Sequence, residues 1–174
     1  YSAISQCRRL VDPLEQMLDG EVYHWHHKLM LKDAHTGGAF LWHQDFGYWQ
    51  PKGYCLFPFM ASCMIAVNRA TIENGFLQVL KGSHHIGLIT HVAVDSQNTA
   101  DPERVAAAEE RLPLVHLELE PVGSPEGPRI ALVTLAACIL GPDYSGIEVC
   151  RHDFRMARDY GLLSSAHIWG LNRL

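Results

Sequence analysis

The first twenty residues carry apolar side chains at Leu10, Leu14, Met17 and Leu18, the i, i+4, i+7, i+8 spacing of one helix face, and Gly20 supplies a stop. Pro13 falls inside that window, where it can mark a start or a break. The period then changes to two. From Glu21 to Leu31, Val22, His24, His26, Lys28 and Met30 alternate with Tyr23, Trp25, His27, Leu29 and Leu31, which predicts a strand rich in aromatic and branched residues. Residues 32–38 read as a polar turn ending in Gly37-Gly38, and Phe40 to Phe46 as extended chain.

Further along, residues 50–53 form a turn, Ala61 to Val67 a buried strand, and Phe76 to Leu80 another. Between those strands Glu73-Asn74-Gly75 is a turn in which Asn-Gly tolerates positive φ. Asp101-Pro102-Glu103-Arg104 opens a helix running to about Leu112, with Pro at its first position and acids in its first turn. Val115 to Glu120 alternates again as a strand. Short strands separated by turns, with one helix inserted, predict a mainly β (α+β) jelly roll or sandwich with flanking helices.

Composition narrows the class. The 174 residues suit a single domain, and 48% hydrophobic with 19% charged residues describes a globular chain that buries a core. A net charge of -5 without a basic patch argues against nucleic acid as a partner. The longest apolar run, Ile130 to Leu140, is too short to span a bilayer, so no membrane role is expected. Neither a leader peptide nor a C-terminal Ser-Lys-Leu is evident, which favours a cytoplasmic setting. The chain begins with Tyr1 rather than Met, as a fragment of something longer would. Five scattered cysteines without a C-x-x-C indicate reduced thiols. Of the 11 histidines, seven fall between His24 and His85, which tilts the chemistry toward metal.

The motif that concentrates this chemistry is His43-Gln44-Asp45. On an extended strand, residues two apart project from one face, so an imidazole and a carboxylate can reach one divalent metal. A second His from a distant strand would complete a 2-His-1-carboxylate triad, which holds Fe(II) and leaves positions open for oxygen and a co-substrate. His24, His26 and His27 have a bland alternative, lining a partly wet sheet face.

Trp25-His26-His27-Lys28-Leu29, then His43-Gln44-Asp45, then the run from Glu73-Asn74-Gly75 to Gly82-Ser83-His84 resemble the phytanoyl-CoA dioxygenase family over about residues 20–120. The resemblance implies a double-stranded β-helix (a cupin-like jelly roll) and an Fe(II)- and 2-oxoglutarate-dependent dioxygenase that hydroxylates a small organic or acyl substrate. It implies His43 and Asp45 as metal ligands, a structural or pocket-lining Gly82-Ser83-His84, and an Arg that anchors 2-oxoglutarate. Ascorbate is a reductant such chemistry can use. Lys28, Lys32 and Gln44 are candidate contacts to co-substrate or substrate.

The last 54 residues, 121–174, depart from the family. Its second iron His sits in an H-x-S-x-x-N pattern that does not occur here, and no His lies between His116 and His152. His152 and His167 remain as candidates for the third ligand, His152 being preferred, with Arg151, Arg155 or Arg158 as the anion anchor. All four lysines lie at or before Lys81, whereas the tail has five arginines, as an alternative exon or a shifted frame would produce. A jelly roll without its last strands would expose sheet edges and an open core. The alternative function is therefore an inactive family member with an incomplete iron site, serving if at all as a binding module.

Overall fold

The computed structural model describes residues 2–32, 38–53, 55, 57–120, 130–139, 162–164 and 169–171, the last three stretches as backbone. Two short helices, α1 (Ser2–Ser5) and α2 (Arg8–Leu18), precede the long strand β1 (Val22–Lys32). Strand β2 (Phe40–His43) leads directly into α3 (Asp45–Trp49). Strands β3 (Met60–Ala66) and β4 (Leu77–Leu80) follow, then the hairpin β5 (His91–Val94) and β6 (Gln97–Ala100). Helix α4 (Pro102–Glu109) and β7 (Leu114–Leu117) close the part that resembles the family. The remaining strands are β8 (Ile130–Ile139), β9 (Leu162–Ser164) and β10 (Trp169–Leu171).

These strands make two four-stranded antiparallel sheets, ordered β1-β8-β3-β9 and β2-β10-β4-β7, beside the separate β5-β6 hairpin. That is the layout of a jelly roll. The expectation of open sheet edges is corrected here. The apolar run from Ile130 supplies the strand between β1 and β3, and β10 lies between β2 and β4. The divergent tail thus occupies central positions in both sheets.

The core lies between the sheets, where Met30, Met64 and Ala66 meet Leu77, Val79 and Leu117. Strand β3 is buried on both faces, since its Ala61 and Cys63 pack under Leu14, Met17 and Leu18 of α2. Pro13 is accommodated within α2, which ends at Asp19 in the left-handed region, φ 54°. A third cluster joins Leu80, Ile89, Ala100, Val105 and Ala108, with Trp42 and Leu112 against it, and ties the hairpin and α4 to the sheet. Asp101 caps α4 by accepting from the Glu103 and Arg104 amides, with Pro102 at the first position as anticipated. Gly75 follows the Glu73-Asn74 turn at φ 89°, a conformation that costs glycine little. Among the described residues no helix is long and apolar enough to cross a membrane.

Two local expectations change. Extended chain was predicted to Phe46, but β2 stops at His43 and Asp45 begins a helix. Strand β1 does not alternate throughout. Its register to β8 shifts between His24 and His26, leaving Trp25 as an extra residue. His24 and His27 consequently stack on one another, ring centroids 5.0 Å apart and nitrogens at 3.2 Å, where strict alternation would have separated them.

Candidate metal centre

His43 is the last residue of β2 and Asp45 the first of α3, so the two project from a strand-to-helix junction rather than from one strand. Gln44 between them is extended, φ −109° and ψ 131°. His43 is 5% exposed and Asp45 9%. Burial of a carboxylate requires strong partners. Asp45 Oδ2 accepts a 2.6 Å hydrogen bond from the Ser62 hydroxyl, which β3 delivers from the opposite sheet. His43 Nδ1 lies 2.7 Å from the Leu41 carbonyl. A carbonyl only accepts, so Nδ1 carries the proton and Nε2 is the basic nitrogen.

That nitrogen lies 3.6 Å from Asp45 Oδ1. That separation is less than two bonds of about 2.1 Å, usual for imidazole and carboxylate on a divalent transition metal, so one ion could touch both as they stand. A backbone carbonyl behind the imidazole and a hydroxyl behind the carboxylate are the outer contacts that orient metal ligands. The donor pair therefore fits a metal. Among the described residues no third His, Cys, Asp or Glu joins them. His152, His167, Arg151, Arg155 and Arg158 lie outside the described residues, as does the Lys32 side chain.

Lys28 lies on β1 with its ammonium 4.5 Å from the centroid of the Phe40 ring, a cation–π contact. Burial lowers its pKa, and the Asp45 charge works against that shift. The pKa of His26 is also lowered, chiefly by burial and next by Lys28, while Asp45 opposes. The Trp49 ring meets Trp25 edge-on at 6.3 Å and His26 at 6.4 Å. Tyr48 packs edge-on against His43 at 5.6 Å and against His91 at 5.9 Å. Trp42, which also flanks the motif in sequence, packs in the hairpin cluster instead.

Gln44, a candidate co-substrate contact from the sequence, has no exposed surface. Its amide nitrogen donates to Gly87 O at 2.9 Å, and its side-chain oxygen accepts from Ile89 N at 2.8 Å. It braces the site from behind. Sequence reasoning missed Ser62 and His91. For Ser62 a signal existed, a hydroxyl set inside an otherwise apolar strand. For His91 none did.

Residues 3–121 match the model of the family described as phytanoyl-CoA dioxygenase. The chain belongs to that family. It is 39% identical over 84 residues to L-proline trans-4-hydroxylase of Streptomyces griseoviridis, an alignment covering 48% of this chain and 31% of that one. Its fold is similar to the crystal structure of EctD from S. alaskensis with 2-oxoglutarate and 5-hydroxyectoine. That likeness has a TM-score of 0.66 at 22% identity and covers 79% of this chain and 51% of the other. The 2-oxoglutarate-dependent epimerase SnoN from nogalamycin biosynthesis shares the fold at a TM-score of 0.54 and 12% identity, over 79% of this chain and 57% of its own. The chain thus spans about a third of the curated relative and about half of these solved structures. The jelly roll is a double-stranded β-helix, the fold it shares with these structures.

Proposed function

We propose that this chain is the iron-binding part of an Fe(II)- and 2-oxoglutarate-dependent oxygenase that hydroxylates a small organic substrate. The observation that carries the reading is the buried His43–Asp45 pair, its imidazole aimed by Leu41 O and its carboxylate by Ser62. Bound there, Fe(II) with 2-oxoglutarate would couple decarboxylation of the co-substrate to hydroxylation of a C–H bond. The chain's own residues supply the setting. Lys28 brings a positive charge to the Asp45 side, suited to a carboxylate of the co-substrate. Tyr48 packs edge-on against His43 and gives the site an aromatic wall, which helps keep water from a reactive centre. A hydroxylase acting on L-proline and a structure holding 5-hydroxyectoine, among the similar proteins, favour a small polar substrate.

Motif spacing in the sequence favours His167 over His152 as the third ligand. Trp169 is the register partner of His43, and His167 precedes it by two residues. His167 and Asn172 also keep the spacing of the family's H-x-S-x-x-N pattern, with Trp169 where its Ser stands. The second reading, an inactive member with an incomplete iron site, is favoured by the sequence itself, in which the family's full H-x-S-x-x-N pattern does not occur.

Anaerobic titration with Fe(II) followed by 2-oxoglutarate separates the two. A visible metal-to-ligand charge-transfer band that Asp45→Ala and His167→Ala abolish, and His152→Ala leaves, is the expected result. No band from a folded protein would establish the inactive reading. Lys28→Met should raise the 2-oxoglutarate concentration needed for half the band at least tenfold while leaving Fe(II) binding in place.

A further inference from the structure

We infer that His91 is a positioning residue for the metal centre: projecting from the β5–β6 hairpin, it holds the Gln44 peptide so that His43 and Asp45 converge. The inference rests on the metal-binding reading of that pair. The hydrogen bonds fix its chemistry. Gln44 N–H, the amide between the two ligands, donates to His91 Nε2 at 3.0 Å. His91 Nδ1 lies 2.9 Å from Ile89 O. The carbonyl must accept, so Nδ1 carries the proton and Nε2 is the acceptor that the Gln44 amide requires. Only the neutral imidazole protonated at Nδ1 satisfies both contacts.

The rest of the hairpin is strapped to the same strand. Gln97 accepts from Leu41 N at 3.0 Å and donates to Ala39 O at 2.8 Å, and the Thr99 hydroxyl donates to Trp42 O at 2.5 Å. Side chains from β5 and β6 thereby occupy backbone groups of residues 39, 41, 42 and 44 in turn. Packing selects the same ring position. A Cβ added to Gly47 would fall inside the His91 ring, so the imidazole lies directly on the α3 backbone just past Asp45. Tyr48 contacts both His91 and His43 edge-on. Removing the ring would orphan a buried amide at the one residue whose conformation sets the angle between the ligands.

The position can be tested with and without metal. In the metal-free wild-type chain, ring-nitrogen NMR should find His91 protonated at Nδ1; the Nε2-protonated form would overturn the assignment. His91→Phe keeps a ring over Gly47 but loses both hydrogen bonds, and Gly47→Ala keeps His91 but pushes it away. Both should weaken Fe(II) binding by about 10–100-fold, the usual cost of losing an outer contact to a metal site. His91→Gln, whose side-chain oxygen can accept from Gln44, should recover most of that loss. A merely structural histidine would lower the melting temperature and leave Fe(II) affinity as in the wild type, which would overturn the proposal. If His91→Phe fails to fold, the Fe(II) affinities of Gly47→Ala and His91→Gln decide. A wild-type chain that binds no Fe(II) would overturn the metal-binding reading on which the inference rests, whereas wild-type affinity in the variants would overturn the inference alone.

Discussion

Ser62 stands at the centre of β3 between Ala61 and Cys63, wholly buried, and its hydroxyl is spent on Asp45. A hydrogen bond to a charged acceptor in a buried site is worth about 1.5–3 kcal/mol, because the carboxylate cannot exchange it for water. Ser62→Ala should therefore lower stability in urea by roughly that amount and weaken Fe(II) binding tenfold or more; an unchanged Fe(II) affinity would remove Ser62 from the site. His84 carries a second prediction at this scale. Burial, and then the neighbouring His85, push its pKa from 6.5 to about 4. The unfolded chain then takes up this proton first, so the contribution is whole above pH 6.5 and lost as pH falls toward 4. Allowing for solvent at a half-buried ring, the loss is roughly 1–3 kcal/mol. Urea unfolding at pH 7 and pH 4.5 would measure it, and His84→Gln should flatten the difference. A slope that persists in that variant would assign the acid sensitivity to other groups.

At the scale of elements, α2 is the part most readable from local pattern. Its apolar stripe at Leu14, Met17 and Leu18 is the face buried against Ala61 and Cys63. Leu14→Ala leaves a cavity in that contact and should cost about 2–5 kcal/mol by chemical denaturation. A loss well below 1 kcal/mol would show that α2 can settle onto the sheet. Other elements were less readable. The shift at Trp25 in β1 and the switch from strand to helix at Asp45 both occur inside runs whose local pattern continues unbroken. A bulge arises from how β1 meets β8, and β8 is more than a hundred residues away in the chain.

For the whole molecule, the tail matters more than its unfamiliar sequence suggested. Strand β8 pairs with β1 and with β3, and β10 pairs with β2 and with β4. Ending the chain at Pro121 would strip a central strand from each sheet and expose rows of unpaired backbone groups. Such a truncated chain should aggregate or lose cooperative unfolding, as size-exclusion chromatography and thermal melting would show. A soluble, cooperatively melting product would mean that residues 1–121 fold unaided.

By itself the sequence determined the amphipathic helix, the strand periods, the Asn74-Gly75 turn and the pairing of an imidazole with a carboxylate two residues on. Each is a local property, set by side-chain spacing and backbone preference within a few residues. Only the tertiary structure decided that Ser62 would reach Asp45, that His91 would meet the Gln44 amide, and that Ile130–Ile139 would lie between β1 and β3. Those contacts join segments distant in the chain. Their register is fixed by packing two sheets around one core, which no local period encodes.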